Sequence, residues 1–244
     1  TAVLTVGLAG LGFGSEGERT GLARVSVYAW LATSGLDATI AGLGGQLTVA
    51  VEPDSTRLTL AVPPPAVRAT LTALAKAMSK PSVSAAAFRA VRAREAARFA
   101  HHAADDDAFV SHQVLMRRVF QLPVSLHPYA SFAATPAELE LLQGPEAQTF
   151  LRRRISADAT TIVVTGALDD KLDAGLDMTL GKLGGGPVDL PALTPPFPPD
   201  DARILLIDRP GATATRVEIA FAGLPRSSPA YPSVALAVPL LELA

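Results

Sequence analysis

Gly21-Leu22-Ala23-Arg24-Val25-Ser26-Val27-Tyr28 is the stretch on which the fold turns. Thr20 offers an N-cap hydroxyl ahead of it and Gly35 a left-handed stop behind it, so the spacing predicts a helix from Leu22 to Thr33. Arg24 and Tyr28, four residues apart, share one face of that helix, and Trp30 and Leu31 are core candidates. Upstream, Thr1 to Ala9 alternates as a half-buried strand does, Val3, Thr5 and Gly7 against Leu4, Val6 and Leu8. The glycine-rich run from Gly10 to Gly17 reads as a loop. Downstream, a short helix from Leu36 to Leu43 ends at Gly44-Gly45. Strands from Gln46 to Val51 and from Arg57 to Val62 then meet through the turn Pro53-Asp54-Ser55 as a hairpin.

Beyond the stop at Pro63-Pro64-Pro65, Val67, Leu71, Leu74 and Met78 recur at helical spacing and mark the buried face of a helix that ends before Pro81. A long helix from Ala85 to Ala104 carries Phe88, Val91, Glu95 and Phe99 on one side, and another from Ala108 to Phe120 leads to a loop from Pro123 to Tyr129. Thr135-Pro136 and Gly144-Pro145 start two further helices, with proline near the favoured first-turn position. Thr160 to Thr165 is a β-branched strand closed by Gly166, and Asp169 or Asp170 caps a helix to Leu180. A first domain, residues 1–183, thus closes near Leu183. Residues 184–202 hold Pro187, Pro191, Pro195, Pro196, Pro198 and Pro199 and read as a linker of polyproline character. Residues 203–208 and 215–222 read as strands and Pro229 onward as a helix, the order in which the first domain also begins. Residues 203–244 are therefore expected to open a second domain of the same type.

Of the 244 residues 49% are hydrophobic and 18% charged, and the formal net charge is -2, so nothing electrostatic favours nucleic acid. Without cysteine there is no disulfide, iron-sulfur cluster or thiolate zinc site. No apolar run approaches the roughly 18 to 20 residues that span a bilayer, so no membrane insertion is expected. Among candidate metal ligands, His102 and Asp106 lie four apart beside His101, Asp105 and Asp107, but no third fixed ligand is visible and the segment reads as a solvated helix end. His112 reads as a helix residue and His127, ahead of proline, as a hydrogen-bonding loop residue. Gly10-Leu11-Gly12-Phe13-Gly14 lacks the spacing of a dinucleotide fingerprint.

Several features in order resemble the insulinase-like (pitrilysin, processing-peptidase) family of zinc peptidases. They are the first strand with Gly14 and Glu16 in its loop, Gly44-Gly45 before the hairpin, and the helix from Val83 to Ala103 with the bend Asp105-Asp106-Asp107. His127-Pro128-Tyr129, the strand ending in Gly166 and Asp208-Arg209-Pro210-Gly211 follow in sequence. The resemblance implies an α+β fold, an antiparallel-rich sheet with helices packed on one face, duplicated in a second similar domain. In that family the helix carries His-x-x-Glu-His, two zinc ligands flanking a general base. Here Arg24 stands at the first histidine, Val27 at the base and Tyr28 at the second histidine, so these are vestigial positions and neither zinc nor another cofactor is implied. The distal glutamate falls in the Arg94 to Ala100 stretch, where Glu95 is the only acid and the ligand position lies nearer Arg98. Arg24 and Tyr28 are expected to fill the vacated volume and to hydrogen-bond each other or neighbouring carbonyls. By the same resemblance the chain is a non-catalytic subunit that pairs with an active zinc-bearing sibling, or forms a homodimer, and binds peptides by strand addition. The alternative is a scaffold similar to the core proteins of the cytochrome bc1 complex. The compartment implied is periplasmic or otherwise exported in bacteria, with cytoplasm or mitochondrion as alternatives.

Overall fold

Strand β1 (Ala2–Ala9) is the spine of the sheet, because its alternation buries Ala2, Leu4, Val6 and Leu8 completely and leaves Val3, Thr5 and Gly7 partly exposed. The computed structural model describes residues 1–120, 128–130, 133–166, 180–181, 183–188, 204–220, 223–225 and 227–242. On one side β1 pairs antiparallel with β3 (Ser55–Val62), Thr5 opposite Thr59, and on the other with β4 (Thr160–Thr165), Thr5 opposite Val163. Strand β2 (Gln46–Val51) pairs outside β3, giving four antiparallel strands in the order β2-β3-β1-β4. Leu58, Leu60 and Val62 of β3 join the buried residues of β1, and the helices cover this face. The chain is an α+β domain of the expected kind.

Helix α1 (Leu22–Ser34) ends at Gly35, whose φ of 65° is the left-handed stop expected there, and α2 (Leu36–Gly42) follows at once. Next come α3 (Val67–Ser79), the long α4 (Ala85–Asp105) and α5 (Asp107–Val119), then α6 (Pro136–Glu140) and α7 (Gly144–Arg154). Val67, Leu71, Leu74 and Met78 of α3 are buried, as their spacing predicts. Trp30 of α1 is fully enclosed, and its indole Nε1 donates to the Ala77 carbonyl near the end of α3 at 3.0 Å. Trp30→Phe removes that donor and part of the packed volume, so a loss of about 1 to 3 kcal/mol is expected. Urea denaturation followed by circular dichroism measures it, since Trp30 is the only tryptophan.

The loop after β1 is stitched to the β2–β3 turn. Gly10 N donates to the Asp54 carbonyl at 2.8 Å, Phe13 N to Glu52 at 3.1 Å and Gly14 N to Pro53 at 2.6 Å. This apposition requires glycine: a Cβ at Gly12 would lie 2.3 Å from the Pro53 oxygen and 2.4 Å from that of Glu52. The stitching carries the chain from the sheet to the start of α1.

Two expectations fail. Thr20 does not cap α1; the N-cap is Gly21, with φ 89°, and Glu16 makes the capping bonds. Residues 204–208 and 215–220 are not strands, because a strand exists through its ladder and these residues find no paired neighbour among the described residues. Ile204 is 98% and Leu206 92% exposed. The segment is nevertheless tethered: Arg209 donates to the carbonyls of Ala103 and Ala104 at the end of α4 and pairs with Asp107 at 2.8 Å. Helix α8 (Tyr231–Glu242) forms near its predicted start. The helix expected at Asp169 or Asp170, most of the 184–202 linker and most of the loop from Pro123 to Tyr129 lie outside the described residues.

Candidate functional site

Helix α1 has no acidic residue in its first turn, so its leading N–H groups need an acceptor from elsewhere. Glu16, 8% exposed, supplies it: one carboxylate oxygen accepts from Gly21 N and the other from Ala23 N, each at 2.7 Å. The left-handed backbone at Gly21 lets both donors converge, and a Cβ there would meet Ala134 Cβ at 2.6 Å. Burial pushes the Glu16 carboxyl up to about 8, and the bonds from Ala23 and Gly21 offset only part of that rise.

One turn into α1, Arg24 reaches across to α4. Its Nε donates to Glu95 Oε2 at 2.6 Å, and Arg98 Nε donates to the same oxygen at 3.0 Å. A third guanidinium, that of Arg94, stands 3.6 Å from Glu95 Oε1. Glu95 is 5% exposed; burial alone would raise its pKa, but the hydrogen bonds and charges of Arg24 and Arg98 outweigh it and hold the carboxyl below its ordinary value. Arg24 also lies 5.0 Å from the centroid of the Tyr28 ring and Arg94 5.1 Å. Arg24 and Tyr28 therefore meet through the ring face, where the sequence suggested a hydrogen bond. Val27 is buried in the hydrophobic core. Glu95, placed by sequence off the ligand position in favour of Arg98, is the residue that α4 presents to Arg24. Beside this cluster lies an open cleft with about 30 Å³ of free space, lined among others by Phe13, Glu16, Arg24, Val51, Glu95 and Arg98.

The zinc that the family resemblance brings to mind is bound by converging lone pairs. At the positions the resemblance assigns to the two histidines this chain offers a guanidinium, which has none, and a phenol set against two guanidiniums, and the nearest carboxylate, Glu95, is already engaged by two arginines. These residues do not fit zinc. Nor do the histidines build another site: among the described residues no group of three His, Cys, Asp or Glu could hold a metal. His102 meets Asp106 at 3.3 Å and His101 meets Asp105 at 2.9 Å, as single pairs along α4. Asp106 is otherwise engaged as the N-cap of α5, accepting from Phe109 N at 3.0 Å, and the His102 ring stacks on Phe109. His112 is exposed on α5, and His127 lies outside the described residues. Sequence reasoning missed the roles of Glu16 and Arg94. A helix with no acid in its first turn, preceded by a glycine-rich loop ending in an acid, was the available signal for Glu16.

No protein-family model matches the chain, and no curated protein matches it. Solved structures do. Pitrilysin superimposes with a TM-score of 0.67 at 18% identity, over 80% of this chain and 22% of pitrilysin. The peptidase M16 inactive domain from Pseudomonas fluorescens gives 0.67 at 19% identity, over 81% of this chain and 49% of that one. A chain of Complex III2 from Candida albicans gives 0.59 at 17% identity, over 76% and 42%. The chain thus has the pitrilysin-type α+β fold and spans less than half the length of each of these three structures.

Proposed function

We propose that this chain is a non-catalytic subunit of a zinc-peptidase-like assembly, which binds extended peptides and encloses them together with an active, zinc-bearing sibling. The observation that carries this reading is the Arg24–Glu95–Arg98 cluster. The face on which such a fold would gather a metal and its base is occupied by ion pairs, with Tyr28 closing it and Val27 withdrawn into the core. A peptide adds as a strand to the outer edge of β2, whose last residue, Val51, borders the cleft. Residues 203–244 open a second, similar domain in this reading, which accounts for exposed apolar residues such as Ile204 and Leu206.

A scaffold role is the second reading, favoured by the likeness to a chain of Complex III2. Native mass spectrometry with metal analysis, on the full-length protein from its own source, separates the two. A one-to-one complex in which the partner chain carries zinc is the expected result. A zinc-free homodimer, or a large assembly containing cytochromes, would overturn the peptidase-subunit reading in favour of the scaffold.

A further inference from the structure

Three guanidiniums surround one carboxylate in the cluster, and the imbalance is not relieved nearby. Among the described residues no acid other than Glu95 lies within 4.0 Å of Arg24, Arg94 or Arg98. Glu16, the other acid of the cleft, is turned to the backbone of α1. Arg24 and Arg98 spend only Nε on Glu95, which leaves their terminal nitrogens without a protein acceptor among the described residues. Their side chains are about a third exposed, at 31% and 34%, and that of Arg94 is 58% exposed, so the free donors are reachable from solvent. Glu95, bonded to both Nε atoms, holds Arg24 and Arg98 in place before any ligand arrives, which lowers the ordering cost of binding.

We propose that Arg24 and Arg98, the two arginines that line the cleft, form a binding site for a peptide carboxylate, the anchor of an extended peptide lying along β2. Guanidinium groups recognise planar two-oxygen anions through paired N–H donors. A carboxylate presents its two oxygens in one plane, which matches the paired donors of a guanidinium edge, and both Arg24 and Arg98 border the cleft. Val51 of β2 and both Arg24 and Arg98 line this one cleft, so a strand on the β2 edge passes within reach of the free donors. The inference rests on the peptide-binding reading and names the group that reading recognises.

The test uses the full chain and three versions of one fluorescently labelled peptide: a free acid without acidic side chains, its C-terminal amide, and the amide with one internal glutamate. Either acid-bearing peptide should bind about tenfold more tightly than the plain amide, the advantage assigning the carboxylate to the terminus or the side chain. Arg98→Gln should erase most of that advantage, and Arg94→Gln, outside the cleft lining and leaving both Nε bonds to Glu95 intact, should keep most of it; an advantage that survives Arg98→Gln overturns the site. Equal affinity for all three peptides overturns the carboxylate site while leaving strand addition standing. Failure of all three to bind overturns strand addition instead, and acetate then tests the site alone by NMR of the arginine Nε–Hε groups. Acetate-dependent shifts of Arg24 and Arg98 support the site, and their absence overturns it. Inorganic phosphate displacing the bound peptide more effectively than acetate overturns the carboxylate assignment in favour of a phosphate site.

Discussion

The double variant Arg24→His/Tyr28→His is expected to bind one zinc ion per chain with micromolar affinity or better, about 8 kcal/mol, and the native chain is expected to bind none. The substitutions place two imidazoles four residues apart on the face of α1 that looks toward α4. Glu95 is already there, drawn by Arg24 to 2.6 Å, and removing that arginine frees one of its two Nε bonds for a metal. Arg98 still competes for Glu95, so adding Arg98→Ala should tighten zinc binding further. Peptide hydrolysis is not expected to follow, because Val27, at the position the resemblance gives to the base, is buried and carries no proton acceptor. Metal analysis after dialysis, with circular dichroism to confirm the fold, decides the matter: a folded double variant that retains no zinc would show that α1 and α4 do not hold these three positions in ligand geometry.

A second large effect concerns pH. Glu16 has its carboxyl raised from 4.5 to about 8 by burial. Below pH 4.5 it is protonated whether the chain is folded or not. Between pH 4.5 and about 8 the unfolded chain ionises while the native chain keeps its proton, so the native state binds the extra proton and stability falls as pH rises through this window. The loss should level off above pH 8 and reach on the order of 3 to 5 kcal/mol for a shift of this size. Glu95 works in the opposite sense. Its lowered pKa contributes stability above pH 4.5, which is lost as the pH falls through its folded value. Urea denaturation of the native chain and of Glu16→Gln at pH 5 and pH 8 isolates the first effect. The native chain should lose more stability across that interval than the variant does; equal losses would mean that Glu16 is ionised throughout, held so by the Gly21 and Ala23 donors.

The parts of the fold legible in the sequence are those written in short-range patterns. Strand β1 declares itself by alternation, α3 by the spacing of Val67, Leu71, Leu74 and Met78, and the end of α1 by Gly35. The order of these elements, with Gly44-Gly45 and Asp208-Arg209-Pro210-Gly211, suffices for the resemblance that the solved structures match in fold. By that resemblance, Arg24, Val27 and Tyr28 stand where the family places its two histidines and its base, and that reading too needs only the sequence.

Whatever depends on groups distant along the chain was decided by tertiary structure. Arg24 and Glu95 are 71 residues apart, and only the crossing of α1 and α4 makes them an ion pair and recruits Arg98 and Arg94 around them. Thr20 had the right chemistry to cap α1, but Gly21 turns the chain so that the buried carboxyl group of Glu16 receives the free N–H groups. Residues 204–208 and 215–220 have the apolar alternation of strands and form none among the described residues, because alternation states which face would be buried and a neighbouring strand must supply the hydrogen bonds. Periodicity and turn chemistry act over a few residues and can be read from the sequence. The convergence of three arginines on one carboxylate belongs to the packing of helices on the sheet, which no local pattern records.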